Sequence, residues 1–130
     1  MDNIMIQDKY SVFKVELKKE SSSFKNIDEI LSFLKNEIEK CESSSYIAIF
    51  NHFKHTKSLS NGEIADDILD AKNIVFCFGV KLPSPEMLAL RPRSIGVGEL
   101  KDSFVVSFME APMEFANSQM SKWVEKLKEA

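Results

Sequence analysis

The sequence has few of the residues that stabilise small folds through cross-links or metal ions. It contains two cysteines and two histidines among 130 residues. A chain of this length can bury enough apolar surface to fold without such help. It also has no excess of basic residues, since 17 Lys and Arg face 20 Asp and Glu and the net charge is -3. The basic residues form no cluster, so we predict no nucleic-acid partner.

A long apolar run is absent as well. No segment approaches the roughly 20 residues that a membrane-spanning helix needs, and the opening stretch MDNIMIQDKY is too polar for a signal peptide. Cys41 and Cys77 lie on apolar faces of predicted elements, which is typical of reduced, buried thiols. We therefore expect a cytoplasmic protein that forms one domain, residues 1–130, without a membrane partner.

Hydrophobic periodicity predicts two main helices. The segment NIDEILSFLKNEIEKC keeps its apolar residues on one helical face, and Asn26 with Glu29 resembles a capping box at its start. The segment PMEFANSQMSKWVEKLKEA is predicted as a second amphipathic helix. Its apolar face comprises Met113, Ala116, Met120, Trp123, Val124 and Leu127.

Alternating or β-branched segments predict about five strands, with a hairpin turn at Lys101 and Asp102. Ser84 and Pro85 begin a short helix that Pro92 ends, whereas NGEIADDILDAKN forms a short helix or a packed loop. The predicted order is β-α-β-β-(short α)-β-β-α. This order is typical of an α+β fold, here a single mainly antiparallel sheet packed against two main helices. The predicted strands are YSVFKVELKK, SYIAIFNHF, NIVFCFG, SIGVGEL and SFVVSFME.

Both histidines lie in NHFKHTK, which we interpret as the end of the second strand. On a strand, His52 and His55 point to opposite faces, and a structural zinc site needs about four ligands, so we predict no metal site. His52, beside Asn51, is the better candidate for ligand contact or acid–base chemistry. The alternative is a metal or haem carrier that uses both histidines.

The second candidate feature is a pair of arginines, Arg91 and Arg93, on either side of Pro92. A guanidinium on a proline-stiffened loop can bind a carboxylate or phosphate. Pairing with Glu86 or Glu99, or exposure to solvent, explains the same residues. We expect a small apolar or anionic ligand and no cofactor. The predicted ligand-binding residues are His52, Arg91 and Arg93.

Aromatic residues are frequent, with ten phenylalanines in the chain. Several strands contribute them, so we predict that they belong to the core. Where the helices leave the sheet uncovered, they would line an apolar pocket or a homodimer interface. Gly96 and Gly98 lie inside a strand and are predicted to have backbone roles, because SIGVG lacks the nucleotide-binding pattern. The phenylalanines in question are Phe50, Phe53, Phe76, Phe78, Phe104 and Phe108.

The run FCFGVKLPSPEMLALRPRSIGVGELKDSFVVSFMEAP resembles the second half of a small bacterial domain family of unknown function. In that family a strand ends in a Phe-Gly turn, a short helical segment leads into a hairpin, and a proline precedes the last helix. The likeness extends over Tyr46–Pro112, with Asn51-His52 in place of Asp-His and GVK in place of Asn-Pro-Lys. It implies a dimeric α+β domain without assigned activity.

No complete catalytic constellation can be assembled from these residues. We therefore predict a non-catalytic ligand-binding or self-associating domain that forms a homodimer. The alternative is an enzyme of undefined reaction that uses His52 as a base and an arginine to hold an anionic substrate. The sequence leaves open whether the protein is an enzyme.

Overall fold

One antiparallel sheet organises the chain. The computed structural model describes residues 1–130 and contains six strands in a single sheet. The strands are β1 (Asp2–Ile6), β2 (Tyr10–Lys18), β3 (Ser44–Phe50), β4 (Asp70–Phe78), β5 (Arg93–Glu99) and β6 (Ser103–Met109). Their spatial order is β1-β2-β6-β5-β4-β3, so β1 and β3 form the two edges. The predicted α+β class and antiparallel sheet are confirmed.

The sixth strand, β1, is the one that the sequence did not indicate. It pairs with β2 from Asp2 opposite Lys14 to Ile6 opposite Tyr10. All five of its residues are exposed, so the strand has no buried face to produce a readable alternation. The turn places Gln7 and Asp8 at φ values of 53° and 56° without the Asn-Gly or Asp-Gly pair that usually marks a tight hairpin.

Three helices are present, where two were predicted: α1 (Ile27–Lys40), α2 (His52–Ser58) and α3 (Glu114–Lys126). The cap of α1 is confirmed, because the Asn26 side chain accepts a hydrogen bond from the Glu29 amide at 2.9 Å. Glu29 in turn accepts one from the Lys25 amide at 2.7 Å. These two bonds satisfy amide groups that have no partner inside the helix.

Helix α2 corrects the prediction that the second strand continues through the histidines. The strand ends at Phe50, and the Asn51 side chain accepts a hydrogen bond from the Lys54 amide at 2.9 Å. Asn51 is therefore an N-cap, and the next seven residues are helical. The acidic segment before β4 forms a loop, and β4 begins at Asp70, three residues before the predicted start.

The predicted short helix is a 3-10 helix, Pro85–Leu90. Pro85 occupies its first turn, but the Ser84 side chain makes no capping hydrogen bond. The chain returns to an extended conformation at Arg91, as expected for a residue before proline. The hairpin turn at Lys101 and Asp102 is confirmed, because the Leu100 amide donates to the Ser103 carbonyl at 2.8 Å.

Helices α1 and α3 pack on one face of the sheet and form the core with it. Phe76, Phe104 and Phe108 are buried there as predicted, as is Phe78, which stacks on Trp123 with ring centroids 5.6 Å apart. Phe50 and Phe53 are not part of this core: Phe50 is 42% exposed and Phe53 is half-buried. Both lie near the end of β3, where α2 begins.

The opposite face of the sheet is covered by neither α1 nor α3, and we call it the open face. Helix α2 and the loop before β4 lie at one margin of this face. Both cysteines are free, and each is partly exposed rather than buried as expected. No helix combines the length and the apolar character that crossing a membrane requires.

Candidate functional site

Arg93 holds parts of the fold together. Its guanidinium donates hydrogen bonds to the carbonyl oxygens of Leu90 at 3.3 Å, Met109 at 2.9 Å and Glu110 at 3.2 Å. Burial lowers the pKa of Arg93 from its ordinary value. These bonds fasten the end of the 3-10 helix to the end of β6. Arg93 thus uses its donors inside the protein.

Arg91 differs from Arg93, because its guanidinium makes no hydrogen bond or ion pair within the protein. The pairing with Glu86 or Glu99 that the sequence allowed is not found, and Glu99 instead binds the Lys19 ammonium at 2.6 Å. Arg91 is half-buried, and its Nη1 lies 4.0 Å from the position of a Cβ added to Gly79. The side chain therefore presents a partly desolvated charge with free donors.

A crevice opens beside Arg91 where β4 ends, and we call it the Arg91 crevice. Its outer part has a volume of about 260 Å³. A narrow inner part, about 20 Å³, continues between the 3-10 helix and the start of α3. Besides Arg91, the outer part is lined by Ser43, Phe78, Gly79, Val80, Lys81, Pro83, Met87, Met113 and Phe115.

The walls of the Arg91 crevice are fixed by packing and by hydrogen bonds. The Phe78 ring stacks on Trp123 and meets the Phe115 ring edge-on at 6.0 Å between centroids. On the other wall, the Asn117 side chain exchanges two 2.7 Å hydrogen bonds with the backbone of Ala111. The loop that carries Pro112 and Met113 is therefore tied to α3.

The lining of the Arg91 crevice is apolar and positively charged. Its charged residues are Lys81, Arg91 and, in the inner part, Arg93, and no acidic side chain lines it. Exposed apolar side chains belong to this lining, including Val80 in the outer part and Leu90 in the inner part. This combination suits a molecule that has an anionic group at one end and an apolar body at the other.

His52 lies elsewhere, on α2. Its Nδ1 is 3.0 Å from the Thr56 hydroxyl, and its ring centroid is 6.1 Å from that of His55. Both rings also contact Phe50, with centroids 5.5 Å and 5.4 Å away. The histidines therefore lie on one side of a helix and not on opposite faces of a strand. No group of three His, Cys, Asp or Glu side chains is arranged to hold a metal ion.

His52 lines a groove on the open face, which we call the His52 groove. Its volume is about 430 Å³. The groove contains neither arginine, and the Arg91 crevice does not contain His52. The three predicted ligand-binding residues are thus divided between two sites. The groove is lined by His52, Asp67, Ile68, Ala71, Lys72, Asn73, Gly96, Val97, Gly98, Leu100, Val105 and Ser107.

Several lining residues were not singled out from the sequence. Asn73 and Ser107 lie on different strands, and only the register brings them to the same glycine, Gly96. The alternation of the predicted β5–β6 hairpin contained part of this signal, because it places Gly96 and Gly98 on the face opposite Phe104. Met87 and Met113 gave no signal, since each resembles an ordinary core residue.

Comparison with known proteins adds a family and a fold. The family model described as "Family of unknown function (DUF6858)" matches residues 1–129. No curated protein matches the chain. The chain is similar to a solved structure described as "Crystal structure of uncharacterized conserved protein DUF302 from Bacillus stearothermophilus", with a TM-score of 0.56 and 12% identity. The likeness covers 91% of this chain and 84% of that one, and at this identity it concerns the fold alone.

Proposed function

Since the chain belongs to the DUF6858 family, whose function is unknown, we propose from its geometry that it is a non-catalytic domain that binds an amphipathic carboxylate. One observation carries this proposal: the Arg91 guanidinium has no partner in the protein and faces an apolar crevice. A carboxylate accepts two parallel hydrogen bonds from a guanidinium, a match that a lysine ammonium cannot provide. The apolar body of the ligand would lie against Phe78, Met87 and Met113.

The size of the Arg91 crevice limits the ligand. Small-molecule pockets usually measure about 300–1,000 Å³, so the 260 Å³ crevice suits a short or medium-length apolar chain. Each buried methylene contributes about 0.8 kcal/mol, and a hydrogen bond to a charged group contributes about 1.5–3 kcal/mol. Val80, which is 79% exposed, gives the opening further apolar surface for a ligand to cover.

The test compares three ligands with one chain length: octanoate, octanol and octylammonium. Isothermal titration calorimetry should show that octanoate binds most tightly and octylammonium most weakly. Arg91→Gln should weaken octanoate binding roughly tenfold or more and leave octanol unchanged. Lys101→Gln, which removes an exposed charge from the β5–β6 turn, is the matched control and should bind octanoate like the parent protein.

Two results would contradict the proposal. One is equal affinity for octanoate and octanol in the parent protein, because the guanidinium would then contribute nothing. The other is octanoate binding that Arg91→Gln and Lys101→Gln weaken to the same small extent, which would indicate non-specific attraction between charges. Circular dichroism spectra of both variants would establish that each is folded.

The enzymatic alternative has less support. It requires His52 and an arginine at one substrate, and these residues line separate sites. The His52 ring bonds to Thr56 and makes no hydrogen bond to a carboxylate that would orient it as a base. A metal or haem carrier would have to rely on two histidines alone. We therefore favour the non-catalytic role.

We also propose that the protein forms a homodimer, and the observation that favours it is edge strand β1. Its backbone pairs with β2 on one side only, and Ile4, Met5 and Ile6 are exposed. The other edge, β3, has a register shift between Tyr46 and Ala48, which disturbs pairing with a further strand. A regular, apolar edge such as β1 is a template for pairing with a second copy.

The dimer is tested by light scattering coupled to size-exclusion chromatography. The parent protein should elute with twice the mass of one chain, and Met5→Lys should yield the monomer. Lys18→Met, at the end of the neighbouring strand β2, is a control that should leave the dimer intact. A monomeric parent protein at high concentration would contradict this part of the proposal.

The location that we propose is the cytoplasm. Cys41 and Cys77 are both free and partly exposed. Thiols in this state persist in a reducing compartment, whereas oxidising compartments favour disulfides. Fractionation of cells that express the protein, with a cytoplasmic and a membrane marker, would test this location.

A further inference from the structure

The floor of the His52 groove is built from two rows of residues that cross the open face. In one row, Asn73 of β4, Gly96 of β5 and Ser107 of β6 are direct neighbours in the register. In the next row, Gly98 stands between Ala71 and Val105. One row is therefore polar at both ends, and the other consists of small or apolar residues.

Neither conformation nor packing explains the two glycines, contrary to the predicted backbone roles. No glycine in the chain has a positive φ, so an ordinary residue could adopt the backbone of both. A Cβ added to Gly98 would meet no atom within 4 Å, and one added to Gly96 would make only ordinary contacts. Glycine inside a strand weakens it, so these positions lower stability without a structural return. Gly96 and Gly98 leave the floor of the His52 groove flat and free of side chains.

Two polar side chains converge at the edge of this floor. A Cβ on Gly96 would lie 3.4 Å from Asn73 Nδ2 and 3.9 Å from Ser107 Oγ. The Asn73 and Ser107 side chains make no hydrogen bond within the protein. Their polar atoms are not fully buried either, so they are accessible to a ligand. Both are half-buried, so their free donors and acceptors face the groove.

The His52 groove and the Arg91 crevice differ in their charged residues. The Lys72 ammonium binds Asp28 of α1 at 2.7 Å, so its charge is used on the other face of the sheet. The exposed carboxylate of Asp67 also lines the groove, and Lys72 is the single Lys or Arg in this lining. An anionic ligand would be repelled there, whereas an uncharged one would not.

From this geometry we propose a second binding site in the His52 groove for an uncharged, planar heteroaromatic molecule that has a hydrogen-bond donor and an acceptor side by side on one edge. The ring lies flat over Gly98, between Ala71 and Val105. Its polar edge faces Asn73, whose amide both donates and accepts, and Ser107. An asparagine amide matches the donor–acceptor edge of adenine in this way.

His52 and Leu100 also line this site. The Nδ1 atom of His52 is engaged by Thr56, which leaves Nε2 as the free nitrogen of the ring. The site goes beyond the proposed carboxylate binding, since the two sites share no lining residue.

The experiment uses adenine as the probe and indole as the control ligand. Indole is also a fused bicyclic ring, but it lacks a donor–acceptor edge. Binding is measured by NMR line broadening or calorimetry on the full chain. We expect saturable adenine binding in the high-micromolar to millimolar range, with indole at least roughly tenfold weaker. Gly98→Val, which fills the floor, should abolish adenine binding. Asn73→Leu should remove the preference for adenine over indole.

Ser94→Val is the matched control, because it adds a β-branched side chain to the same strand and the same face outside the groove. It should bind adenine like the parent protein, and Arg91→Gln should as well. The proposal is overturned if adenine does not saturate, if folded Gly98→Val still binds it, or if indole binds equally well. These outcomes do not depend on octanoate binding, so this proposal and the proposed function can fail separately.

Discussion

The Arg91 crevice and the His52 groove use the same two strands for opposite chemistry. The crevice lies at the end where β4 finishes and β5 begins, and the groove lies on the open face towards their other ends. In the crevice, bulky side chains such as Phe78 surround a free cation. In the groove, Gly96 leaves the backbone bare between the uncharged polar residues Asn73 and Ser107, and Gly98 does so between Ala71 and Val105. Because successive residues of a strand point to opposite faces, one hairpin-like pair of strands can supply both surfaces.

The largest expected effect is a difference in stability between variants of the two arginines that flank Pro92. Arg93→Met should destabilise the protein by about 2–4 kcal/mol, because three carbonyl oxygens lose a charged donor at once. Arg91→Met, the matched change two residues earlier, should alter the free energy of unfolding by less than about 0.5 kcal/mol. Urea denaturation of both variants measures the difference. Equal destabilisation would contradict the division between a structural and a ligand-binding arginine.

Acid should weaken the link between helices α1 and α3. The Glu37 carboxylate is 8% exposed and joins α1 to α3 by binding Lys126 at 2.5 Å, with Lys40 at 3.1 Å. The hydrogen bond from Lys126 is the main reason why the pKa of Glu37 lies below its ordinary value. The resulting stabilisation is present above the ordinary carboxyl pKa, near 4.3, and is lost as the pH falls through the lower folded-state pKa.

Glu37→Gln should therefore remove about 1–2 kcal/mol at neutral pH and flatten the acid dependence of stability. The measurement is urea denaturation between pH 3 and 7, a range that spans the ordinary carboxyl pKa. Glu39→Gln, on the same helix but without an ion pair, is the control. If both variants keep the same pH profile as the parent protein, Glu37 does not link the helices.

A smaller loss of stability should be confined to helix α2, beside the His52 groove. Asn51→Ala removes the cap of α2 and should cost about 1 kcal/mol. Hydrogen exchange should accelerate at Lys54 and its neighbours in α2, while α1 and α3 keep their protection. Uniform acceleration throughout the chain would mean that α2 is not a local wall of the His52 groove.

The smallest expected effect is a gain in stability and not a loss. Gly98→Ala should leave stability unchanged or raise it by up to about 1 kcal/mol, because the added methyl group meets no atom and glycine disfavours strands. Thermal unfolding measures this change. A loss of more than about 1 kcal/mol would show that the fold requires Gly98, and the bare floor would then need no functional explanation.

The sequence predicted those parts of the fold in which a buried face repeats. Helix α1, its Asn26 cap and the β5–β6 hairpin were predicted, because periodicity and turn chemistry are local signals. Helix α2 was missed, because the β-branched and aromatic run before Asn51 outweighed a good N-cap. Strand β1 was missed because an exposed edge strand has no buried alternation.

The sites depend on register and packing, which are not local. Arg91 and Arg93 flank the same proline in the sequence. The fold gives only Arg93 carbonyl partners, at Leu90 and at the end of β6. The separation of His52 from the arginines follows from the length and direction of β4 and β5. The convergence of Asn73 and Ser107 over Gly96 likewise requires the pairing of three strands.

The most direct test is an NMR titration of nitrogen-labelled protein with octanoate, followed by the same titration of Arg91→Gln. Carboxylate binding at the Arg91 crevice predicts saturable shifts of amides in residues 78–91 and 111–116, with residues 71–73 and 96–98 unaffected. In Arg91→Gln these shifts should require a much higher octanoate concentration. Shifts that centre on the His52 groove, or that persist unchanged in Arg91→Gln, would contradict carboxylate binding at the Arg91 crevice.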